Sequence, residues 1–245
     1  TIPNLEWISL YWIFAIISLA MVFLIMISNF PKVERKEDEK SGAIETHLLL
    51  LKKPMVLLYF LAIFCYVGTE QGVANWISQF LALYHDIDPQ VQGAKTISNF
   101  WGMMTLGTLL GLLLLKFLDS RKVLIVTSVG TIFFLIAALF GTTQQALIAF
   151  PLIGFFIATM WSIIISLALN SVVEAHGSFS GILVTGIVGG ALVPFIVGAL
   201  GDVFGLKIGM LFLLITLSFI LSIGFWSKPL INNETLLSTS RKKNQ

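Results

Sequence analysis

The sequence predicts an all-α membrane protein, and three observations lead to that fold class. Hydrophobic residues make up 57% of the 245 residues and charged residues only 11%, whereas a soluble domain carries about 25% charged residues. The mean hydropathy of the chain is +0.93. Seven apolar runs are each long enough for a helix to cross about 30 Å of hydrocarbon. The runs are too long for β-barrel strands and do not alternate apolar with polar residues.

Charged or turn-rich breaks separate the seven runs, which we expect to be transmembrane helices. Their expected limits are 8–28, 54–84, 95–117, 123–141, 146–172, 179–200 and 206–227. The first run lacks the charged start, short apolar core and cleavage site of a signal peptide, so it is interpreted as a span. The expected fold is a bundle of membrane-spanning helices.

The spans divide into one helix, a long connection and six closely joined helices. The connection, 29–53, mixes both signs of charge and is interpreted as a partly helical cytoplasmic linker between two halves of a protein. Six helices suit two three-helix repeats, an arrangement found in many secondary transporters. We therefore expect 1–28 to hold the last helix of an N-terminal half that is missing from this sequence. Residues 54–227 would form the six-helix C-terminal half and 228–245 a cytoplasmic tail.

The basic residues predict the orientation. If the spans alternate, thirteen of the fifteen lysines and arginines fall on one side, and only Lys95 and Lys207 fall on the other. Cytoplasmic loops carry the excess of basic residues, so the long connection and the C-terminus are expected in the cytoplasm. We expect a multi-pass protein of a bacterial inner membrane, with the lipid bilayer as its surroundings.

Several functions are excluded by motifs that the sequence lacks. It contains no GxxxxGK[ST] loop for nucleotides and no GxSxG, HExxH or CxxC motif. The histidines at 47, 85 and 176 lack the spacing of metal ligands, and the net charge of +2 indicates no nucleic-acid partner. The sequence predicts no metal, no cofactor and no enzyme activity.

The segment YVGTEQGVANWISQF, residues 66–80, carries the strongest functional signal. Glu70, Gln71, Asn75 and Gln79 recur at helical spacing, so three or four of them are expected to share a face. A charged residue at the centre of a membrane helix costs about 2.5 kcal/mol or more, and such residues are usually functional. We expect Glu70 to bind substrate or to couple transport in a neutral, proton-carrying form. The amides suit a hydroxyl-rich ligand, and Trp76 offers an apolar ring to the face of a sugar.

An alternative for Glu70 is a structural role, in which it pairs with a neighbouring helix and locks the bundle. Three further residues are candidates for lining a central cavity: Asn99 and Trp101 near the start of the third span, and Trp161 in the middle of the fifth. Asn170, at the end of the fifth span, either lines a path or bonds back to its own helix.

Two other segments are candidates for conformational change. In KFLDSRKV, Asp119 lies beside Arg121 and Lys122, and this cluster either gates the cytoplasmic end or only sets the topology. The sixth span has little side-chain bulk on one side, which suits close packing at a static or a moving interface. The packing candidates in that span are Gly186, Gly189, Gly190 and Pro194. Pro194 is expected to bend the helix because it removes a backbone donor.

The segment IVGGALVPFIVGALGD at 187–202, together with MWSIIISLAL and YVGTEQG, resembles the C-terminal half of the fucose/glucose–galactose permease family of the major facilitator superfamily. The resemblance runs from about residue 54 to 227 and is strongest at 181–202. It implies two pseudosymmetric six-helix halves, a central sugar site, alternating access and coupling to a proton or sodium ion. It also implies that Glu70 matches an acidic residue of the family's seventh helix, with Gln79 near a later polar position.

Two positions depart from the family pattern. Thr108 stands where an arginine is usual, and Ser162 stands where a proline is expected. The predicted function is secondary active transport of a sugar or sugar-like solute, with cation-coupled symport. The alternatives are a major facilitator transporter of a drug, peptide or nucleoside, and a membrane scaffold or sensor that transports nothing.

Overall fold

The computed structural model describes residues 6–28 and 44–231. Most of the expected linker, at 29–43, and most of the expected tail, at 232–245, lie outside the described residues. The chain divides into two compact units, Thr1–Glu37 and Asp38–Gln245. The first contains helix α1, Glu6–Ile27, whose apolar side chains from Leu10 to Ile27 are exposed within that unit.

The described part of the second unit contains ten α-helices, of which the short helix α2 precedes the six remaining spans and the other nine form them. The ten helices are α2 Ile44–Leu51, α3 Pro54–His85, α4 Ala94–Phe117, α5 Ser120–Phe140, α6 Thr143–Ile157, α7 Met160–Leu169, α8 His176–Thr185, α9 Gly189–Phe204, α10 Leu206–Leu211 and α11 Leu213–Trp226. Helices α6 and α7, α8 and α9, and α10 and α11 combine in pairs to form single spans. With α1, the described residues contain seven helices of membrane length. The prediction of an all-α membrane fold is confirmed.

Local sequence explains where the helices begin and end. Pro54 occupies the first turn of α3, where a missing backbone N–H costs nothing. The same helix ends at Asp86, which adopts a left-handed backbone conformation with φ of 53°. Thr142 and Gln145 form a reciprocal capping box at the start of α6, which satisfies two backbone donors that would otherwise lack partners.

Two spans are less regular than expected. The fifth span was expected to run without interruption over 146–172, but the α-helical pattern breaks at Ala158 and Thr159, between α6 and α7. In the sixth span a 3₁₀ turn, Gly186–Val188, separates α8 from α9. Helix α9 continues as an α-helix through Pro194, so the change of helix type lies before the proline and not at it.

Helix α3 is the centre of the bundle. It contacts α4, α6, α7, α8, α9 and α11, and fully buried side chains such as Tyr59, Ile63 and Phe80 line its length. Helix α4 is mostly exposed. It packs closely at Gly107, against the backbone of Phe155, and at Gly111, against Thr159. Small residues allow this close approach between helices in a membrane.

Contacts between connections identify the two ends of the bundle. At one end, His85 and Thr143 are hydrogen-bonded at 3.1 Å, and the backbone N–H of Lys207 donates to the Tyr84 hydroxyl at 3.1 Å. We call this the α3 C-terminal end. The opposite end, the basic end, has most of the described basic residues: Lys52, Lys53, Lys116, Arg121, Lys122 and Lys228.

Candidate functional site

Glu70 lies half-buried in α3 with both carboxylate oxygens hydrogen-bonded. Its Oε2 accepts a hydrogen bond from the Tyr66 hydroxyl at 2.6 Å, and its Oε1 accepts one from Nε2 of Gln71 at 3.1 Å. Tyr66 precedes Glu70 by four residues, so the pair lies on one face of the helix. Within residues 6–28 and 44–231, Glu70 has no basic partner. Two neutral donors therefore orient the carboxyl group without neutralising a charge on it.

Helix α7 brings Trp161 to this cluster. The rings of Tyr66 and Trp161 lie 5.8 Å apart between centroids, at an interplanar angle of 53°. This is within the range of favourable aromatic pairs. Trp161 is half-buried. We call Tyr66, Glu70, Gln71 and Trp161 the Glu70 cluster.

The expected polar face of α3 is divided into two environments. Asn75 and Gln79 are exposed, and neither has a hydrogen-bond partner in the described part of the chain. Gln71 is half-buried and belongs to both environments. It donates to Glu70, and it precedes Asn75 and Gln79 at four-residue intervals on α3. Glu70 turns its carboxyl group toward Tyr66 instead. An amide facing hydrocarbon has no partner and is costly, so we interpret the exposed amides as facing water or protein.

Trp76 points toward α9. Its Nε1 donates a hydrogen bond to the Pro194 carbonyl oxygen at 3.1 Å. A Cβ atom at Gly198 would come within 2.7 Å of Cζ2 of Trp76, so the ring rests directly on that glycine. Trp76 and Gln79 also line a cavity of about 300 Å³ near the α3 C-terminal end, together with Asp202. The structure therefore places these two candidates in a region distinct from the Glu70 cluster.

Asn99 and Trp101 lie on the exposed part of α4. Trp101 is 39% exposed and packs edge-on against Phe100, with centroids 5.3 Å apart. Neither residue is hydrogen-bonded to the Glu70 cluster, and Asn99 has no partner among the residues described.

At the basic end, the structure joins Asp119 to Arg121. The Asp119 carboxylate caps α5 by accepting from the Arg121 backbone N–H at 2.9 Å, and it forms an ion pair with Nε of Arg121 at 3.3 Å. The Arg121 guanidinium also donates to the Ser227 carbonyl oxygen at 3.5 Å, which links the start of α5 to the end of α11. Lys122 is exposed and takes no described part in these bonds.

The packing candidates of the sixth span lie against α3. A Cβ atom at Gly186 would lie 3.0 Å from the Phe60 carbonyl oxygen, and one at Gly189 would lie 2.7 Å from the carbonyl carbon of Phe64. Gly190 has similarly little room, and Pro194 is buried. These glycines permit the close contact between α3 and the start of α9.

Sequence reasoning did not single out two residues that the structure places beside the candidates. Tyr66 donates to Glu70, and the four-residue spacing of a hydroxyl and a carboxyl group would have been a readable signal. Asp202 shares a cavity with Trp76 and Gln79. No local pattern connects Asp202 with α3, because the two segments are more than 100 residues apart in the sequence.

Known proteins resemble this chain in sequence and in fold. The family model described as Major Facilitator Superfamily matches residues 2–194. The chain is 32% identical over 212 residues to a glucose/galactose transporter of Brucella abortus, a match that covers 82% of this chain and 48% of that protein. It is 28% identical to a putative glucose/galactose transporter of Helicobacter pylori, over 77% of this chain and 45% of the relative.

Solved structures show the same fold. The crystal structure of FucP, described as a major facilitator transporter in the outward conformation, matches with a TM-score of 0.76 and 22% identity, over 89% of this chain and 54% of that one. A peptide transporter, POT, matches with a TM-score of 0.60 and 14% identity, over 77% of this chain and 43% of that one. The chain spans about half the length of the curated relatives it matches. The match to the family model covers more than half of the sequence, and the chain belongs to the major facilitator superfamily.

Proposed function

We propose that this chain forms the C-terminal half of a secondary active transporter for a sugar or sugar-like solute. The observation that carries the proposal is the Glu70 carboxyl group, which is held inside a membrane helix by Tyr66 and Gln71 without a described basic partner. Ionisable residues inside the membrane usually mark solute or ion pathways. The names of the glucose/galactose transporters among its relatives support a sugar as the solute.

In the proposed mechanism, the Glu70 cluster contributes to a cavity between two halves that opens alternately to each side. The Glu70 carboxyl group takes part in cation coupling, while Gln71 and Trp161 contact the solute. Coupling requires the cation and the solute to favour the same conformation, since a ligand shifts an equilibrium only by its differential affinity. A fucose:proton symporter among the structural neighbours supports a proton as the cation, and sodium is the alternative.

The proposal also covers the orientation of the chain in the membrane, the link between the two halves and the gate on the cytoplasmic side. The basic end faces the cytoplasm, because it carries most of the described lysines and arginines. Residues 29–53 link the two halves, and the membrane is a bacterial inner membrane. The Asp119–Arg121 pair gates the cytoplasmic side by joining α5 to the end of α11.

The experiment that tests the proposal is uptake of labelled D-glucose, D-galactose and L-fucose by cells expressing the full-length protein. We expect saturable uptake of at least one sugar, abolished by a protonophore or by removal of sodium. If the protein inserts into the membrane and transports none of the three, the sugar assignment is wrong. A panel of dipeptides, nucleosides and drugs then tests the other solutes, and failure of every panel leaves the scaffold or sensor function.

Glu70→Gln separates coupling from recognition in the same assay. An amide still accepts hydrogen bonds but can neither ionise nor carry a coupled proton, so we expect concentrative uptake to fall by about tenfold or more. Retained sugar exchange would assign Glu70 to coupling, whereas lost sugar binding would assign it to recognition. Glu174→Gln is the matched control, because Glu174 is exposed at the basic end. Unchanged concentrative uptake by Glu70→Gln would contradict both roles.

A further inference from the structure

The cavity at the α3 C-terminal end combines features that suit a polyhydroxylated ligand. It has a volume of about 300 Å³ and lies between the last turns of α3 and the end of α9. We call it the Trp76 pocket. Ligand sites are commonly concavities of about 300–1,000 Å³, with mostly apolar walls and a few convergent polar groups. The Trp76 pocket is at the lower end of this range, which suits a small solute.

The polar groups of this pocket have unused hydrogen-bonding capacity. The Gln79 amide and the Asp202 carboxylate are exposed, and neither has a partner among the described residues. The Tyr84 hydroxyl accepts from the Lys207 backbone N–H and retains its own proton to donate. An amide, a carboxylate and a hydroxyl together supply donors and acceptors in the combination that neighbouring sugar hydroxyls require.

The Trp76 ring forms an apolar wall that is already fixed in place. Its N–H is bonded to Pro194, and its edge rests on Gly198. A ring held in this way loses little conformational freedom when a ligand binds, which favours affinity. Trp76 lines the cavity, and an aromatic face carries partial negative charge that attracts the C–H groups of a sugar ring.

The negative charge of Asp202 does not stabilise helix α9. The residue lies in the last turn of α9, where the helix dipole disfavours a negative charge. Among the described residues the ion pair joins Arg121 to Asp119 at the opposite end of the bundle, and the Lys207 ammonium lies over the Tyr84 ring, 4.9 Å from its centroid. The Asp202 carboxylate lines the cavity and is available to accept hydrogen bonds from a ligand there.

The Trp76 pocket is separate from the Glu70 cluster along α3. Gln79 follows Glu70 by nine residues, which corresponds to about 13 Å at 1.5 Å per residue. We propose that the pocket is a second sugar-binding site at the α3 C-terminal end. This inference rests on the proposed transport function and adds a second site to it.

The test uses a cysteine reporter in the purified full-length protein in lipid nanodiscs, with any other reactive cysteines replaced. Leu83 lines the pocket and is 59% exposed, so Leu83→Cys reports on access without removing a polar group. Val91→Cys, 69% exposed at the same end, is the matched control. D-glucose, D-galactose and L-fucose are the probes. We expect a transported sugar to slow maleimide labelling of Leu83→Cys at least threefold and to leave Val91→Cys unaffected.

Two further variants separate occupancy of the pocket from a conformational change triggered elsewhere. Sugar should still slow maleimide labelling of the cysteine in Leu83→Cys/Glu70→Gln, because the pocket binds sugar without the Glu70 cluster. This effect should be lost in Leu83→Cys/Asp202→Asn, whereas Asp86→Asn, an exposed carboxylate outside the pocket, should preserve it. Two results would overturn the second site alone. One is sugar uptake by a protein in which sugar does not slow the labelling of Leu83→Cys, and the other is slowed labelling that is lost when Glu70→Gln is added. Absence of sugar uptake by the wild-type protein would overturn the proposed function instead.

Discussion

Asn170 holds the backbone of Ile231 through two reciprocal hydrogen bonds. Its Nδ2 donates to the Ile231 carbonyl oxygen at 2.6 Å, and its Oδ1 accepts from the Ile231 N–H at 3.1 Å. The backbone carbonyl of Asn170 accepts a third bond from the Leu230 N–H at 2.8 Å. The chain that follows α11 is thereby tied to the end of α7, and α7 carries Trp161 of the Glu70 cluster.

Asn170→Ala should release this segment. Each lost hydrogen bond contributes about 1 kcal/mol, so we expect the Ile231 amide to exchange its hydrogen about tenfold faster or more. The Leu230 amide should change less, because its backbone acceptor remains. Hydrogen exchange followed by mass spectrometry measures both. Asn99→Ala, at an exposed amide without a described partner, is the control, and equal exchange in the two variants would contradict the clamp.

Thr69 and Thr216 should be energetically coupled across α3 and α11. Their hydroxyl oxygens lie 2.7 Å apart, and both residues are buried. Each hydroxyl has one proton, so one threonine donates to the other while its partner donates to a backbone carbonyl. Thr69→Val, Thr216→Val and the double variant should show a coupling of about 0.6 kcal/mol, the typical value for such bonds between membrane helices. Unfolding in mixed detergent micelles measures it.

The control is a second double-mutant cycle, in which Thr69→Val is combined with Thr127→Val. The Thr127 hydroxyl bonds only to its own helix α5. Distant sites usually add within about 0.3–0.5 kcal/mol. A Thr69–Thr127 coupling as large as the Thr69–Thr216 coupling would show that the direct bond is not its source.

Gly189→Ala should destabilise the protein, because the added methyl group would press on the backbone at Phe64. Overpacking a close contact typically costs about 1–3 kcal/mol. Gly177→Ala is the matched control, since a Cβ atom there meets nothing within 4 Å. That change should be neutral or stabilise α8 by up to about 1 kcal/mol. Thermal unfolding of the full-length protein in detergent compares the two, and similar shifts in both would contradict the close contact of α3 with α9.

Arg121→Gln should affect transport more than stability. The Arg121–Asp119 pair is partly exposed, and such pairs contribute only about 0.2–1 kcal/mol. Its bond to Ser227 joins the start of α5 to the end of α11, and the proposed gate opens by breaking this bond. We expect a changed maximal uptake rate with little change in unfolding temperature. Lys116→Gln, in the last turn of α4 and exposed, should leave the rate unchanged, and equal rates in all three proteins would argue against gating.

The fold was readable from the sequence because the bilayer sets the length of every element. The expected spans 54–84 and 95–117 agree closely with α3, Pro54–His85, and α4, Ala94–Phe117. The interruptions in the fifth and sixth spans were not readable. The 3₁₀ turn at Gly186–Val188 lies against α3, and this contact is a property of the packed bundle that an apolar run does not encode.

The candidate site was readable only where its parts are close in sequence. Glu70 and Gln71 are neighbours, and both stand out as polar residues in an apolar helix. The direction of Trp76 depends on a carbonyl group 118 residues away. The direction of the Asn170 side chain likewise depends on a distant partner, Ile231, which lies 61 residues further along the chain. Helical spacing places side chains on a face, but long-range packing decides which neighbour each one meets.

The central position of α3 also has a consequence for how the protein is made. Its membrane segment is the least apolar of the seven, yet it is synthesised before α7, α9 and α11, which supply many of its contacts. When α3 leaves the ribosome, Glu70, Gln71 and Gln79 have no later helix to pack against, and an ionised carboxylate at the centre of a lone helix opposes insertion. We therefore expect stable integration of α3 to depend on helices translated after it, and nascent chains that end before α9 to be poor substrates for membrane insertion.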